Sequence, residues 1–109
     1  MTVNISFKHL GPSQAIKEYT TEKSAKLEKY FKGRISITWN FSSEKTKRIA
    51  HCHLLGNDMN YFGEASTKDL YASIDLAIDK IEKQLRKHKE IVKNHLHIKN
   101  HKQLSEDVE

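Results

Sequence analysis

A chain of 109 residues, 37% of them hydrophobic, holds enough apolar material for one core and too little for two domains of ordinary size. Lysine and arginine outnumber aspartate and glutamate by 19 to 14, a formal net charge of +5 that points to an anionic partner. No stretch approaches the roughly 20 apolar residues of a membrane span, the amino terminus has no charged-then-apolar leader, and the single cysteine, Cys52, makes neither an internal disulfide nor a thiolate zinc site, so a reducing, cytoplasmic setting is expected.

In chain order, Val3, Ile5 and Phe7 alternate with polar residues, the period of a strand with one buried face. Gly11-Pro12-Ser13 breaks that pattern, and Ser13 is placed to cap a helix predicted over Gln14 to Phe31. Its stripe is Ile16, Tyr19, Leu27, Tyr30 and Phe31, weakened by Thr20 and Ser24 on the same side. The clearest strand follows, Arg34 to Phe41, with Ile35, Ile37, Trp39 and Phe41 on one face. A third strand is predicted over Arg48 to Leu55, and Gly56-Asn57-Asp58 supplies residues that tolerate positive φ for a hairpin into a fourth, near Asn60 to Ser66. Last, Leu70, Ile74, Ala77, Ile78, Ile81, Leu85, His88 and Val92 mark a helix from Leu70 to about Asn94, with Asp69 as cap. Residues 1–94 then form the binding domain, and 95–109 are expected to be a flexible tail. The fold class is α+β, ordered β-α-β-β-β-α: a four-stranded, mostly antiparallel sheet with two helices packed on one face and the other face wet.

Charge concentrates on the last helix, where Lys80, Lys83, Arg86, Lys87, Lys89 and Lys93 face only Glu82 and Glu90 between Lys80 and Asn94. Lys80, Lys83 and Lys87 align on one side as a ridge roughly 15–20 Å long, at ~1.5 Å per residue. Lys23 and Lys26 of the first helix would extend it into a patch. Lysine-rich surface helices often serve solubility alone, but the scarcity of acids here favours phosphate binding of folded RNA, read by shape. Most aromatic residues fall on core positions; Tyr71 and Phe62 are left for the surface.

Chemistry finds little support. His51-Cys52-His53 looks like a metal triplet, yet on a strand the histidines face one way and the cysteine the other. Asp79 is expected to pair with Lys83, and His88 to pack on the helix seam. No Gly-rich phosphate loop, nucleophile elbow or H-E-x-x-H helix is present. No enzyme, metal, cofactor or small-molecule substrate is expected.

The segment Asp69 to Lys89, DLYASIDLAIDKIEKQLRKHK, resembles the D-x-Y-x-A-I-D-x-x-I-D-K-L-x-x-Q-L-x-K-x-K signature of the short ribosome hibernation-promoting factors, the family that includes ribosome-associated inhibitor, or protein Y. Ala15 to Tyr19 and Lys23 to Phe31 are similar to that family's first helix. The resemblance covers about residues 1 to 95 and implies the same β-α-β-β-β-α fold. It implies a protein that occupies the decoding channel of the 30S subunit within the 70S ribosome, blocks messenger and transfer RNA, and holds ribosomes inactive under stress or in stationary phase. Carried over, Lys23, Lys26, Lys80, Lys83, Lys87 and Lys89 would contact 16S rRNA; charge and helical position add Arg86 and Lys93. The protein would be a monomer off the ribosome, away from membranes. Thr20 and Ser24 depart from the apolar residues usual in the family, and the second domain of its long members is not expected here. Residues 86–89 look closer to the form that pairs ribosomes, whereas a tail reaching Glu109 leans toward protein Y; the pairing form is favoured slightly. Two alternatives stand beside this reading. One is a double-stranded-RNA-binding module, which lacks the first strand and begins its last helix with basic residues; the other is a non-RNA interaction protein.

Overall fold

The computed structural model describes residues 1–100, with side chains as far as Lys89. Strand β1 (Thr2–Lys8) leads through α1 (Gln14–Ala25) and a 3-10 segment (Lys26–Tyr30) to β2 (Ser36–Glu44), β3 (Lys47–Gly56), β4 (Met59–Thr67) and α2 (Leu70–Asn100). The sheet order is β1-β2-β3-β4. β1 runs parallel to β2, from Thr2↔Ser36 to Lys8↔Ser42, because α1 carries the chain back across the sheet between them; the two later pairings are antiparallel hairpins. In the β3–β4 turn Asn57 (φ 51°) and Asp58 (φ 62°) both adopt the left-handed conformation, as a two-residue hairpin loop demands. Gly56 (φ 137°) precedes them, and a Cβ there would lie 2.6 Å from the Arg34 carbonyl oxygen.

Both helices cover one sheet face. Ile37, Trp39, Phe41, Ala50, Cys52 and Leu54 meet Ile74, Ala77, Ile81 and Leu85 of α2 with no more than 1% exposure each, joined by Ile16 and Leu27 from the α1 side. β4 approaches α2 so closely that a Cβ on Gly63 would sit 2.7 Å from the Ala77 carbonyl oxygen. Burial raises the Cys52 thiol to about 12, consistent with an inert core cysteine.

The first helix is shorter than its periodicity predicts. Ser13 caps it, its Oγ accepting from the Ile16 amide at 3.2 Å. The α-helix stops at Ala25, however, and Lys26–Tyr30 tightens to three residues per turn. That geometry eclipses positions three apart, burying Leu27 while Tyr30, half-buried, reaches across to α2. Thr20 and Ser24 do not interrupt the stripe; with Ile16 they are it, fully buried at four-residue spacing. Ser24 Oγ accepts a hydrogen bond from Trp39 Nε1 at 2.9 Å, which explains a hydroxyl where an apolar residue was expected. At the other end, Asp69 Oδ1 accepts from the Tyr71 amide and so caps α2, whose helix runs past the expected end near Asn94 to Asn100. The remainder of the expected tail, 101–109, lies outside the described residues.

Candidate nucleic-acid interface

At ~100° per residue, Lys80, Lys83 and Lys87 fall within about 60° of one another on the outer side of α2. This flank runs along the β4 edge. Lys80 Nζ donates to the Glu64 carbonyl and Gln84 Nε2 to the Phe62 carbonyl at 2.7 Å, while Lys83 and Lys87 are exposed beside them.

The opposite flank faces α1 and the 3-10 segment. There Lys23, Lys26 and Lys29 line an open groove with Leu27, Asp75, Ile78, Asp79 and Glu82. Its acids are largely engaged. Tyr19 donates to Asp75 Oδ1 at 2.6 Å with Lys23 Nζ at 3.9 Å from the same oxygen, and Tyr30 donates to Glu82 Oε2 at 2.7 Å with Lys29 Nζ at 4.0 Å. The hydrogen bond to Asp75, with burial and the carboxylate's charge, lifts the Tyr19 phenol to about 12. The hydrogen bond to Glu82 raises Tyr30 likewise, opposed by the neighbouring Arg86 guanidinium. Arg86 and Lys89 continue this flank, Lys89 sharing a crevice with Glu28, Lys29, Tyr30 and Lys32.

The predicted basic residues therefore form two groups. Lys80, Lys83 and Lys87 make the ridge, whereas Lys23 and Lys26 do not prolong it; they sit across the groove, on the flank of Arg86 and Lys89. The expected Asp79–Lys83 pair is not formed, because Asp79 turns into the groove and Lys83 away from it; among the described residues the ion pairs are Lys23–Asp75 and Lys29–Glu82. Lys93 lies beyond the described side chains. Lys29 and Lys32 belong to the second group as well: Lys29 follows Lys26 by one three-residue turn of the 3-10 segment, and Lys32 lies just beyond its end.

The histidine pair sits as its strand dictates. His51 and His53 occupy the open sheet face and Cys52 the core, while His88 is half-buried on α2 with its ring 6.1 Å from that of Tyr61. Among the described residues no helix is long and apolar enough to cross a membrane.

Residues 3–93 match the family model described as sigma 54 modulation protein / S30EA ribosomal protein. The chain is 37% identical over 90 residues to the ribosome hibernation promoting factor of Azotobacter vinelandii, spanning 83% of this chain and 84% of that one. It is 35% identical over 95 residues to the factor of the same name from Salmonella typhimurium, spanning 87% and 100%. Among solved structures, the N-terminal domain of Thermus thermophilus protein Y has a TM-score of 0.76 at 27% identity, covering 81% of this chain and 99% of that domain. A ribosomal subunit interface protein from Coxiella burnetii gives 0.72 at 25%, covering 82% and 98%.

Proposed function

The chain belongs to the sigma 54 modulation protein / S30EA ribosomal protein family, whose ribosome hibernation factors are non-enzymatic and bind ribosomes, and from that premise we propose that it lodges in the decoding channel of the 30S subunit. Bound there to 16S rRNA within the 70S ribosome, it blocks messenger and transfer RNA and holds idle cytoplasmic ribosomes inactive. Off the ribosome it is a monomer. Its basic residues, Lys80, Lys83 and Lys87 on one flank of α2 and Lys23, Lys26, Arg86 and Lys89 on the other, contact rRNA phosphates; Lys93 is added on its charge and sequence position alone.

The observation that carries this reading is the disposition of charge on α2. Asp75 and Glu82 are held by tyrosines and lysines and Asp79 lines the same groove, while Lys80, Lys83 and Lys87 on one flank and Lys23, Lys26, Lys29, Arg86 and Lys89 on the other leave cations in the majority on both. Such a surface binds phosphate by counterion release, without reading sequence. Inhibition is then steric: a rigid basic body competes with two RNAs for one channel. The double-stranded-RNA-binding alternative is disfavoured by β1, which pairs along seven positions of β2, and by the cap Asp69 with Asp75 and Asp79 in the N-terminal part of α2, where no lysine or arginine precedes Lys80. Of the family's two short forms, the one that pairs ribosomes is favoured slightly, on the likeness of residues 86–89 and against the longer tail.

The test is competition on purified 30S subunits. Labelled chain should be displaced by messenger together with initiator transfer RNA, and should in turn block their binding; simultaneous occupancy would contradict the steric mechanism.

A further inference from the structure

The open face of the sheet carries an aromatic stack that the core does not need. Phe62 is 52% exposed on β4. It stands opposite His53 of β3, whose ring lies parallel to it, centroids 4.2 Å apart and planes within 4°. His53 Nε2 is in turn 2.6 Å from Asn60 Oδ1, which fixes the imidazole, and His51 packs obliquely at 5.7 Å from Phe62. β4 is an edge strand, so His53 covers the inner face of the phenyl ring and the outer face looks off the sheet into solvent. Along this same edge runs the lysine ridge. The Phe62 carbonyl accepts from Gln84 of α2, and the carbonyl of Glu64 from Lys80. An exposed, pre-stacked aromatic thus borders a row of cations.

We propose that Phe62 is a base-stacking residue: an unpaired RNA base lies on its outer face and extends the His53–Phe62 stack, while Lys80, Lys83 and Lys87 hold the flanking phosphates. The proposal rests on the RNA-binding reading above and adds to it a contact with a base. Stacking accepts any base because every base has a π-face, and unpaired nucleotides are the ones free to offer it. Glu64, two residues along the same face, disfavours phosphate over the sheet itself and keeps the backbone on the ridge side. The two elements divide the work, with cations giving salt-dependent affinity and the ring a preference for nucleotides that carry a base.

The experiment titrates the full chain, at low salt, into a fluorescent single-stranded oligoadenylate and into an abasic ribose-phosphate oligomer of equal length. The native chain should prefer oligoadenylate by about tenfold, within the range that loss of one base–aromatic stack produces. Phe62→Ala should abolish that preference and leave abasic affinity unchanged; Phe62→Trp should restore it; Lys83→Glu with Lys87→Glu should weaken both probes. Far-UV circular dichroism confirms the fold of each variant. Native binding to both oligomers without preference, or an unchanged preference in Phe62→Ala, overturns the stacking proposal alone. Failure of the native chain to bind either oligomer while it still co-sediments with ribosomes overturns the stacking proposal alone; failure in both assays overturns it together with the RNA-binding reading.

Discussion

Replacing Ser24 by alanine removes the acceptor of Trp39 Nε1 at a place that water does not reach, since both residues are 0% exposed. An indole N–H left buried and unpaired costs about 1–3 kcal/mol, which for a domain near this size corresponds to a fall of about 4–8 °C in melting temperature per kcal/mol. One turn earlier, Thr20 provides the contrast. Its side chain is equally buried, yet its Oγ1 has no hydrogen-bond partner, so Thr20→Val removes a desolvated hydroxyl at nearly constant volume and should be neutral or stabilising by up to about 1 kcal/mol. Urea unfolding followed by fluorescence of Trp39, the chain's single tryptophan, measures both. A cost below about 0.5 kcal/mol for Ser24→Ala, well under that of an orphaned buried donor, would refute the reasoning. So would a Thr20→Val cost equal to that of Ser24→Ala, because the two polar positions would then differ in nothing that matters.

Alkaline stability should depend on Tyr19. Its pKa is 10.0 in the unfolded reference and about 12 in the fold, so the native state keeps a proton the unfolded chain releases. This contribution is whole below pH 10 and is lost as pH rises toward 12; Tyr19→Phe should flatten the decline of the urea midpoint across that window. Cys52, raised from 9.0 to about 12 by burial, should resist iodoacetamide in the native protein at mildly alkaline pH and react once urea unfolds it, as mass spectrometry would show. Gly63→Ala should cost about 1–3 kcal/mol by forcing β4 away from the Ala77 carbonyl, whereas Gly11→Ala, with nothing within 4 Å of its new methyl, should leave thermal melting nearly unchanged.

Elements with a single strict period were legible in the sequence. Ile35 to Phe41 alternates without exception, and α2 keeps its apolar seam from Leu70 through Leu85, so strand, helix and the order β-α-β-β-β-α follow from spacing. What spacing could not reveal was tertiary. The polarity of Thr20 and Ser24 reads as a break in a stripe until Trp39, fifteen residues beyond Ser24, is seen to need an acceptor there. The switch to 3-10 geometry at Lys26 depends on where Tyr30 must reach on α2, and no local residue announces it. For the interface, helical periodicity alone aligned Lys80, Lys83 and Lys87. Placing Lys23 and Lys26 required knowing which side of α2 faces α1, and that is set by the parallel pairing of β1 with β2.

The central claim, that the basic flanks of α2 hold the protein on ribosomal RNA, is tested most directly by co-sedimentation with purified ribosomes through sucrose gradients at low and high salt. Native chain is compared with Lys83→Glu/Lys87→Glu. The native chain should travel with the small subunit at low salt and leave it as salt rises. The double variant should remain at the top, because two phosphate contacts are lost and each contributes about 0.7–0.9 to the salt slope of the binding constant. Co-sedimentation of the double variant equal to that of the native chain, or absence of both from the ribosomal fractions at low salt, would contradict the account.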